Sequence, residues 1–501
     1  MENLIKNLIA KLKDNNHSNL KDKLLYGTFW NLIGTVASQG FIFIAGIITA
    51  RLLGTVGYGQ FGIINSTILM FSTFTGLGLG ITATKFISQH HEKDKARTGR
   101  IIGLTAIVGT SSGLLMFLIL FLIAPLITLT LFNAPYLTLD LRIAALLLIF
   151  NTLAGVPYGT ITGFGSFKII ARNSIIQGII SFPITIAGVY FFGLTGLISS
   201  MVLTSVLNLF LYGHSMRYIL SKYKIKIDYS NAFKEKNILW NFSVPSMLST
   251  IVVGPIIWLA YTIIVNTPNG YAQLGIFSAV EQWKNVALFL PLVMGTVLLQ
   301  MVSSNVSKKN DTLETINVLA GWAIVTAIAL PIITFPEIIG LLYGSGYSST
   351  FFFQSLIIIV FTSCIIAYKD GIARNLIAKD LMWLGFSNNL FWGILFIVMV
   401  LLLKNLGAVG LALSFLTSYA VTALVFIPLF LSKGVVPKNL LISKETILIW
   451  FILIIQTIIS LLNFSLIIRL ITLIISFGIL FFSFYRIWDP VSKNYQINKN
   501  L

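Results

Sequence analysis

Glu281 and Lys284 stand three residues apart in the middle of an otherwise apolar run, 274 to 302. On a helix that spacing puts both side chains on one face, within pairing distance. A charge in such a run is costly unless it meets a partner or a cavity. Two readings stand side by side. The pair either neutralises itself, or it forms a site where Lys284 meets an anionic group and Glu281 holds the lysine or takes part in ion coupling, with Na+ or H+ as the ion.

Two other apolar runs carry polar stripes. Asn31, Thr35 and Ser38 share a helical face with Gln39 adjacent, and Ser243, Ser246 and Thr250 form a second stripe. Hydroxyls and amides suit the hydroxyls of a sugar, and they equally make ordinary hydrogen bonds between helices. Arg374, with Lys369 and Asp370 nearby, and Arg51 are cationic positions at run ends. Other chemistries find no support. The four histidines form no metal-binding spacing, the single cysteine, Cys364, has no partner in the chain, and no Gly-Lys dipeptide exists to end a phosphate-cradling loop.

The elements that must position these groups are membrane helices. A chain of 501 residues with mean hydropathy +0.90 and only 10% charged residues has more apolar surface than a soluble domain can bury. Runs able to cross the hydrocarbon fall near 26–50, 59–83, 101–123, 143–163, 173–192, 194–211, 239–265, 274–302, 316–335, 351–373, 381–403, 408–431, 446–462 and 466–486. The net charge of +18 fits nucleic acid in a soluble protein, but here it follows the membrane. With a cytoplasmic N-terminus, twenty-nine of the 34 basic residues fall in the inner segments. The expected location is the cell (cytoplasmic or inner) membrane, with both termini cytoplasmic. The lysine-rich first 25 residues read as a basic surface segment, not as a cleaved signal.

The chain also pairs with itself at an offset of about 213. Trp30-Asn31 answers Trp240-Asn241, and Gly57-Tyr58-Gly59-Gln60 answers Gly270-Tyr271-Ala272-Gln273. Leu131-Phe132-Asn133 answers Leu342-Tyr343-Gly344, and Gly193-Leu194-Thr195-Gly196 answers Gly407-Ala408-Val409-Gly410. The expected fold is therefore all-α and integral to the membrane. It has about fourteen transmembrane helices in two pseudo-symmetric six-helix lobes in the same orientation, plus two C-terminal helices. The divisions are 1–25, N-lobe 26–211, basic linker 212–238, C-lobe 239–432, added helices 433–486 and tail 487–501. At the repeat offset Glu281 and Lys284 correspond to Ile68 and Phe71, so only the second lobe carries the charged pair. Pro245 and Pro255 mark the seventh span as the bending element.

Arg51-Leu52-Leu53-Gly54 followed by Gly57-Tyr58-Gly59-Gln60-Phe61, with Gly76-Leu77-Gly78-Leu79-Gly80 and the echo Gly270-Tyr271, resembles the signature of the polysaccharide transporter, or O-antigen flippase, family. The wider superfamily also includes drug exporters and the lipid II flippase. The resemblance implies alternating access that moves a polyprenyl-(pyro)phosphate-linked oligosaccharide from the inner to the outer leaflet. The implied partners are that lipid, the surrounding membrane lipids, a polysaccharide polymerase and chain-length machinery, with no nucleic acid and no cofactor beyond a coupling ion. Lys284 would then meet the pyrophosphate or an acidic sugar, Arg374 the incoming phosphate, and Arg51 would act at release. A drug exporter normally wants an acidic residue in its first lobe, and spans one and two have none. A membrane enzyme needs a large outer loop with acid and base groups, and the longest, 124 to 142, holds only Asp140 and Arg142.

Overall fold

The computed structural model describes residues 20–75, 79–243, 251–304, 311–379, 381–435, 440 and 443–500. Helices dominate throughout, with no strand among the described residues. They are α1 (Leu20–Thr75), α2 (Leu79–His90), α3 (Lys95–Leu126), α4 (Thr138–Gly163), α5 (Phe167–Tyr223), α6 (Val253–Val265), α7 (Gly270–Ser304), α8 (Asp311–Thr334), α9 (Pro336–Tyr343), α10 (Thr350–Ala378), α11 (Met382–Leu403), α12 (Gly407–Ser432), α13 (Lys444–Leu461) and α14 (Leu466–Asn500).

Nine segments among the described residues are long and apolar enough to cross a membrane. Three of them contain a glycine at positive φ, where the regular helix is interrupted: Gly54, Gly193 and Gly407. At Gly193 the chain reverses into a hairpin. A Cβ on Gly196 would strike the Gly188 carbonyl, and Ser200 Oγ donates to Ile184 O at 3.1 Å, so the two arms run back along each other. Each such segment reads as two passes, and the shorter apolar α6 and the long α7 stand where the hydropathy places the seventh and eighth spans.

The internal repeat is visible in backbone conformation. Gly193 (φ 58, ψ −133) and Gly407 (φ 58, ψ −127) turn alike. Asn133 and Gly344 both have positive φ, and each leads into a short 3-10 turn, Pro135–Leu137 and Ser345–Tyr347. Turns that need positive φ select Gly or Asn, so these positions hold one or the other in both halves while the helices between them differ.

The chain folds as two compact units. One comprises Met1–Ala45, Phe71–Ala124 and Leu139–Leu248; the other comprises Gly46–Met70, Pro125–Thr138 and Ser249–Leu501. Inside the second unit the glycine motif and its echo pack backbone to backbone. A Cβ on Gly59 would fall on the Tyr271 carbonyl oxygen, and one on Gly275 on the Thr55 carbonyl oxygen. Close helix approach of this kind needs glycine. The Tyr271 hydroxyl donates to Phe132 O at 2.8 Å and Asn266 Nδ2 to Leu131 O at 2.6 Å, which brings in the segment after α3. The last two helices dock on α8 and the start of α9: Gln456 Nε2 donates to Thr334 Oγ1 at 2.9 Å, and Arg469 donates to Thr334 O at 3.1 Å and pairs with Glu337 at 2.8 Å.

In the first unit α5 continues helically to Tyr223, beyond the apolar run that ends at 211. The remaining linker lies against α3. Asp228 N donates to Gly99 O at 3.2 Å, and buried Glu235 pairs with Arg97 at 3.1 Å and Arg100 at 3.0 Å. Two pieces of the seventh span lie among the described residues. A π turn covers Leu239–Ser243, and α6 begins at Val253, with Pro255 in its first turn. There the missing N–H of proline has no helical partner to lose, so Pro255 starts a helix and does not kink one. Pro245 lies outside the described residues.

Candidate functional site

The charged pair is formed. Lys284 Nζ lies 2.6 Å from Glu281 Oε1 on α7, as the i, i+3 spacing requires. Two further helices complete the surroundings. From α6 the Tyr261 hydroxyl donates to Glu281 Oε2 at 2.7 Å, so each carboxylate oxygen has a donor. From α12 the ring of Phe415 lies under Lys284 Nζ, 5.1 Å to its centroid. Phe415 is itself held by stacking on Phe277 and by Phe396 at 4.4 Å.

The residue Lys284 is 9% exposed, which decides its energetics. Desolvating two charges costs several kcal/mol per ion and is offset only by close geometry and full hydrogen bonding. Glu281 has both. Lys284 has one carboxylate and one ring face, and its ammonium carries three donors. Among the described residues it makes no second hydrogen bond, so it retains donor capacity for an anionic oxygen.

The other basic positions are arranged differently. Arg374 on α10 is buried and turns inward: Nε donates to Asn317 Oδ1 at 2.7 Å and Nη2 to Asn317 O at 3.0 Å. Asn317 in turn donates to Gly371 O and Asn375 Oδ1, each at 2.8 Å. This brace joins α8 to α10 and is separate from the Glu281 pair. Arg51 is exposed, with its side chain against the backbone of Gly344.

The polar stripes are used largely within the protein. Ser38 is buried and donates to Thr35 O at 3.2 Å, while Gln39 is exposed. Ser243 Oγ shares a hydrogen bond with Thr82 Oγ1 at 2.8 Å, a buried contact between hydroxyls. The side chains of Asn31, Ser246 and Thr250 lie outside the described residues.

Several site residues carry no sequence signal. Tyr261 and Phe415 are aromatic residues among many in a chain that is 13% aromatic. Gln282, beside Glu281, bonds to Tyr58 and accepts from the Tyr343 hydroxyl at 3.1 Å. Only the match of Tyr58 to a repeated motif pointed there. Beyond Phe415, Tyr419 stacks one helical turn along α12 and lies within electrostatic reach of both Glu281 and Asp370. The Lys369 ammonium sits over its ring, 5.2 Å to the centroid. Lys284 and Lys369 thus each lie over an aromatic ring of the same helix, with one acidic residue close to each.

A family model described as polysaccharide biosynthesis protein matches residues 24–304. The EPS I polysaccharide export inner membrane protein EpsE of Ralstonia nicotianae is 21% identical over 189 residues, which is 36% of this chain and 43% of that protein. The chain therefore aligns with less than half of that relative's length. Among solved structures, the lipid II flippase MurJ in an inward closed conformation superposes with a TM-score of 0.65 at 16% identity, over 91% of this chain and 98% of that one. The Vibrio cholerae MATE transporter VcmN in its bent form gives 0.56 at 14% identity, covering 86% and 99%. At such identities the likeness carries the fold: a multi-pass helical membrane protein of the same architecture as these transporters.

Proposed function

The chain belongs to the polysaccharide biosynthesis protein family, and from that premise we propose that it is a flippase that moves a polyprenyl-(pyro)phosphate-linked oligosaccharide from the cytoplasmic to the outer leaflet by alternating access. The observation that carries the reading is the buried lysine of the second unit. Lys284 is held at 2.6 Å by Glu281 and at 5.1 Å by the Phe415 ring, yet keeps donor capacity. A lysine in hydrocarbon with such capacity suits a phosphate oxygen, to which it forms a charge-assisted hydrogen bond.

In this reading Glu281 and Tyr261 hold Lys284 in position between transport cycles, and the phosphate competes with Glu281 for the ammonium. Arg51, exposed beside Gly344, acts at release, and separately Gln39, the exposed member of the α1 stripe, offers a polar contact to the sugars. The protein acts as a transporter and not as an enzyme, in the cytoplasmic membrane with both termini inside, and supplies a polymerase and its chain-length machinery on the outer face. Glu281 would also be the group through which Na+ or H+ couples to the cycle.

Depletion of the protein tests this. Lipid-linked oligosaccharide should accumulate in the inner leaflet, and Lys284→Ala, compared with wild type at matched membrane abundance, should fail to relieve the accumulation. Normal translocation with unpolymerised units outside would overturn the proposal.

A further inference from the structure

A cavity of about 290 Å³ lies among α6, α10, α11 and α12, entirely within the second unit. Its polar lining is Lys369 and Asp370 from α10, Asn388 and Asn389 from α11 and Tyr419 from α12; Trp392 of α11 adds an indole. Among the described residues this lining is incompletely satisfied. Trp392 is 3% exposed, and its Nε1–H has no acceptor; Asn388 Oδ1 is buried and has no donor. The two residues are one helical turn apart, so an orphan donor and an orphan acceptor stand on one face. Asp370 makes no hydrogen bond or close ion pair among the described residues, and Lys369 is occupied only by the Tyr419 ring.

Buried polar atoms are almost always paired, and an orphaned one is destabilising. Two in one cavity point to an absent occupant, whose chemistry the lining constrains. The volume sits at the lower end of the roughly 300–1,000 Å³ typical of ligand pockets, enough for one ring and not for an oligosaccharide. The occupant must both donate and accept, because Trp392 offers only a donor and Asp370 only acceptors. It must present an apolar face to the rings of Phe386, Trp392 and Tyr419. A phosphate or other simple anion presents no apolar face to those rings, and the charges of Lys369 and Asp370 act on it in opposite directions, so charge does not select it. A pyranose meets all of these requirements, with hydroxyls around its rim and C–H bonds on its faces.

We infer that this cavity binds a single sugar ring of the transported lipid and selects which sugar is accepted. The inference rests on the reading of the chain as a carrier of sugar-bearing lipid, and it adds a subsite apart from the Lys284 contact. Asp370 and Asn388 accept from ring hydroxyls, Trp392 Nε1 donates to one, and an acetamido substituent would satisfy Trp392 and Asn388 together.

The test is saturation-transfer NMR on the full-length protein in nanodiscs, with glucose, galactose, N-acetylglucosamine and inorganic phosphate as probes. One of the sugars should give a signal that falls at least fivefold in Trp392→Phe, which keeps the ring and removes the donor, and in Asn388→Leu. Because either variant can disturb packing, Gly385→Leu supplies a second route. Gly385 lines the cavity and a Cβ there meets nothing within 4 Å, so the larger side chain fills the space without removing a contact. It should abolish sugar binding at unchanged thermal stability. Absence of any sugar signal, or a signal indifferent to all three variants, overturns the inference. The two proposals fail separately. Normal cargo movement in Gly385→Leu, with movement stopped by Lys284→Ala, removes the subsite and leaves the flippase. Sugar bound in this cavity by a protein that moves no lipid-linked oligosaccharide removes the flippase and leaves the subsite.

Discussion

The Tyr261 hydroxyl donates to one oxygen of the Glu281 carboxylate at 2.7 Å while Lys284 holds the other at 2.6 Å. A phenol from a neighbouring helix therefore fixes the carboxylate that fixes the lysine. A hydrogen bond to a charged group contributes about 1.5–3 kcal/mol, and Tyr261→Phe removes it while preserving the ring. The expected outcome is a lower thermal midpoint in detergent and translocation reduced severalfold, since Lys284 remains. Translocation equal to wild type would show that the tyrosine does not position the pair.

The Glu281 and Lys284 substitutions separate stability from transport. Removing one partner of a buried pair leaves an unpaired charge and costs about 3–5 kcal/mol, whereas replacing both with apolar groups of similar size is often close to neutral. Glu281→Leu and Lys284→Met should each lower abundance and thermal stability, and the double variant should recover both. None of the variants lacking Lys284 should translocate the lipid. A double variant that is stable and active would mean the pair serves packing alone.

The contact between Gly59 and Gly275 predicts a steep and local intolerance. A Cβ on Gly275 has no room beside the Thr55 carbonyl, and overpacking of this kind costs typically about 1–3 kcal/mol. Gly275→Ala should lose folded protein in thermal unfolding, while Gly40→Ala, where a Cβ meets nothing within 4 Å, should not.

Much of this fold was legible because its turns are chemically restrictive. Gly193 and Gly407 keep their type because φ near 58 with ψ near −130 strains any residue with a Cβ. A Cβ at Gly193 meets open space, while one at Gly407 also meets the Gln273 side chain. Gly407→Ala should therefore destabilise more than Gly193→Ala, which differential unfolding of the two variants measures. The charged pair was legible for a similar reason, since Glu281 and Lys284 stand out against an apolar run. Tyr261, Phe415 and Trp392 were not. Aromatic residues occur in nearly every span, and which of them face α7 or the cavity depends on packing between helices far apart in the chain. The stripe at Thr35 and Ser38 shows the opposite limit. Spacing predicted a shared face, but Ser38 donates to the backbone of its own helix, and periodicity cannot tell that from a ligand contact.

The linker after Tyr223 has an arrangement that spacing alone did not reveal, because its charges read only as an inner basic segment. Glu235 is buried and receives Arg97 and Arg100 from α3, and the backbone at Lys226 and Asp228 lies against Gly99 and Gly103 too closely for a side chain to intervene. Such a segment moves with α3, so flexing must occur after it, toward the π turn Leu239–Ser243. Cross-linking offers a direct measurement, since the chain has one cysteine, Cys364, and that one is buried. In a Cys364→Ala background, a reducible bis-methanethiosulfonate cross-link between cysteines at positions 97 and 235, whose native side chains meet only at their tips, should leave translocation at least half of the uncross-linked rate. Glu235→Gln should lower thermal stability, because both arginines lose their carboxylate. If the cross-link stops translocation, and reduction restores it, the strap itself must open during the cycle and the hinge lies within it.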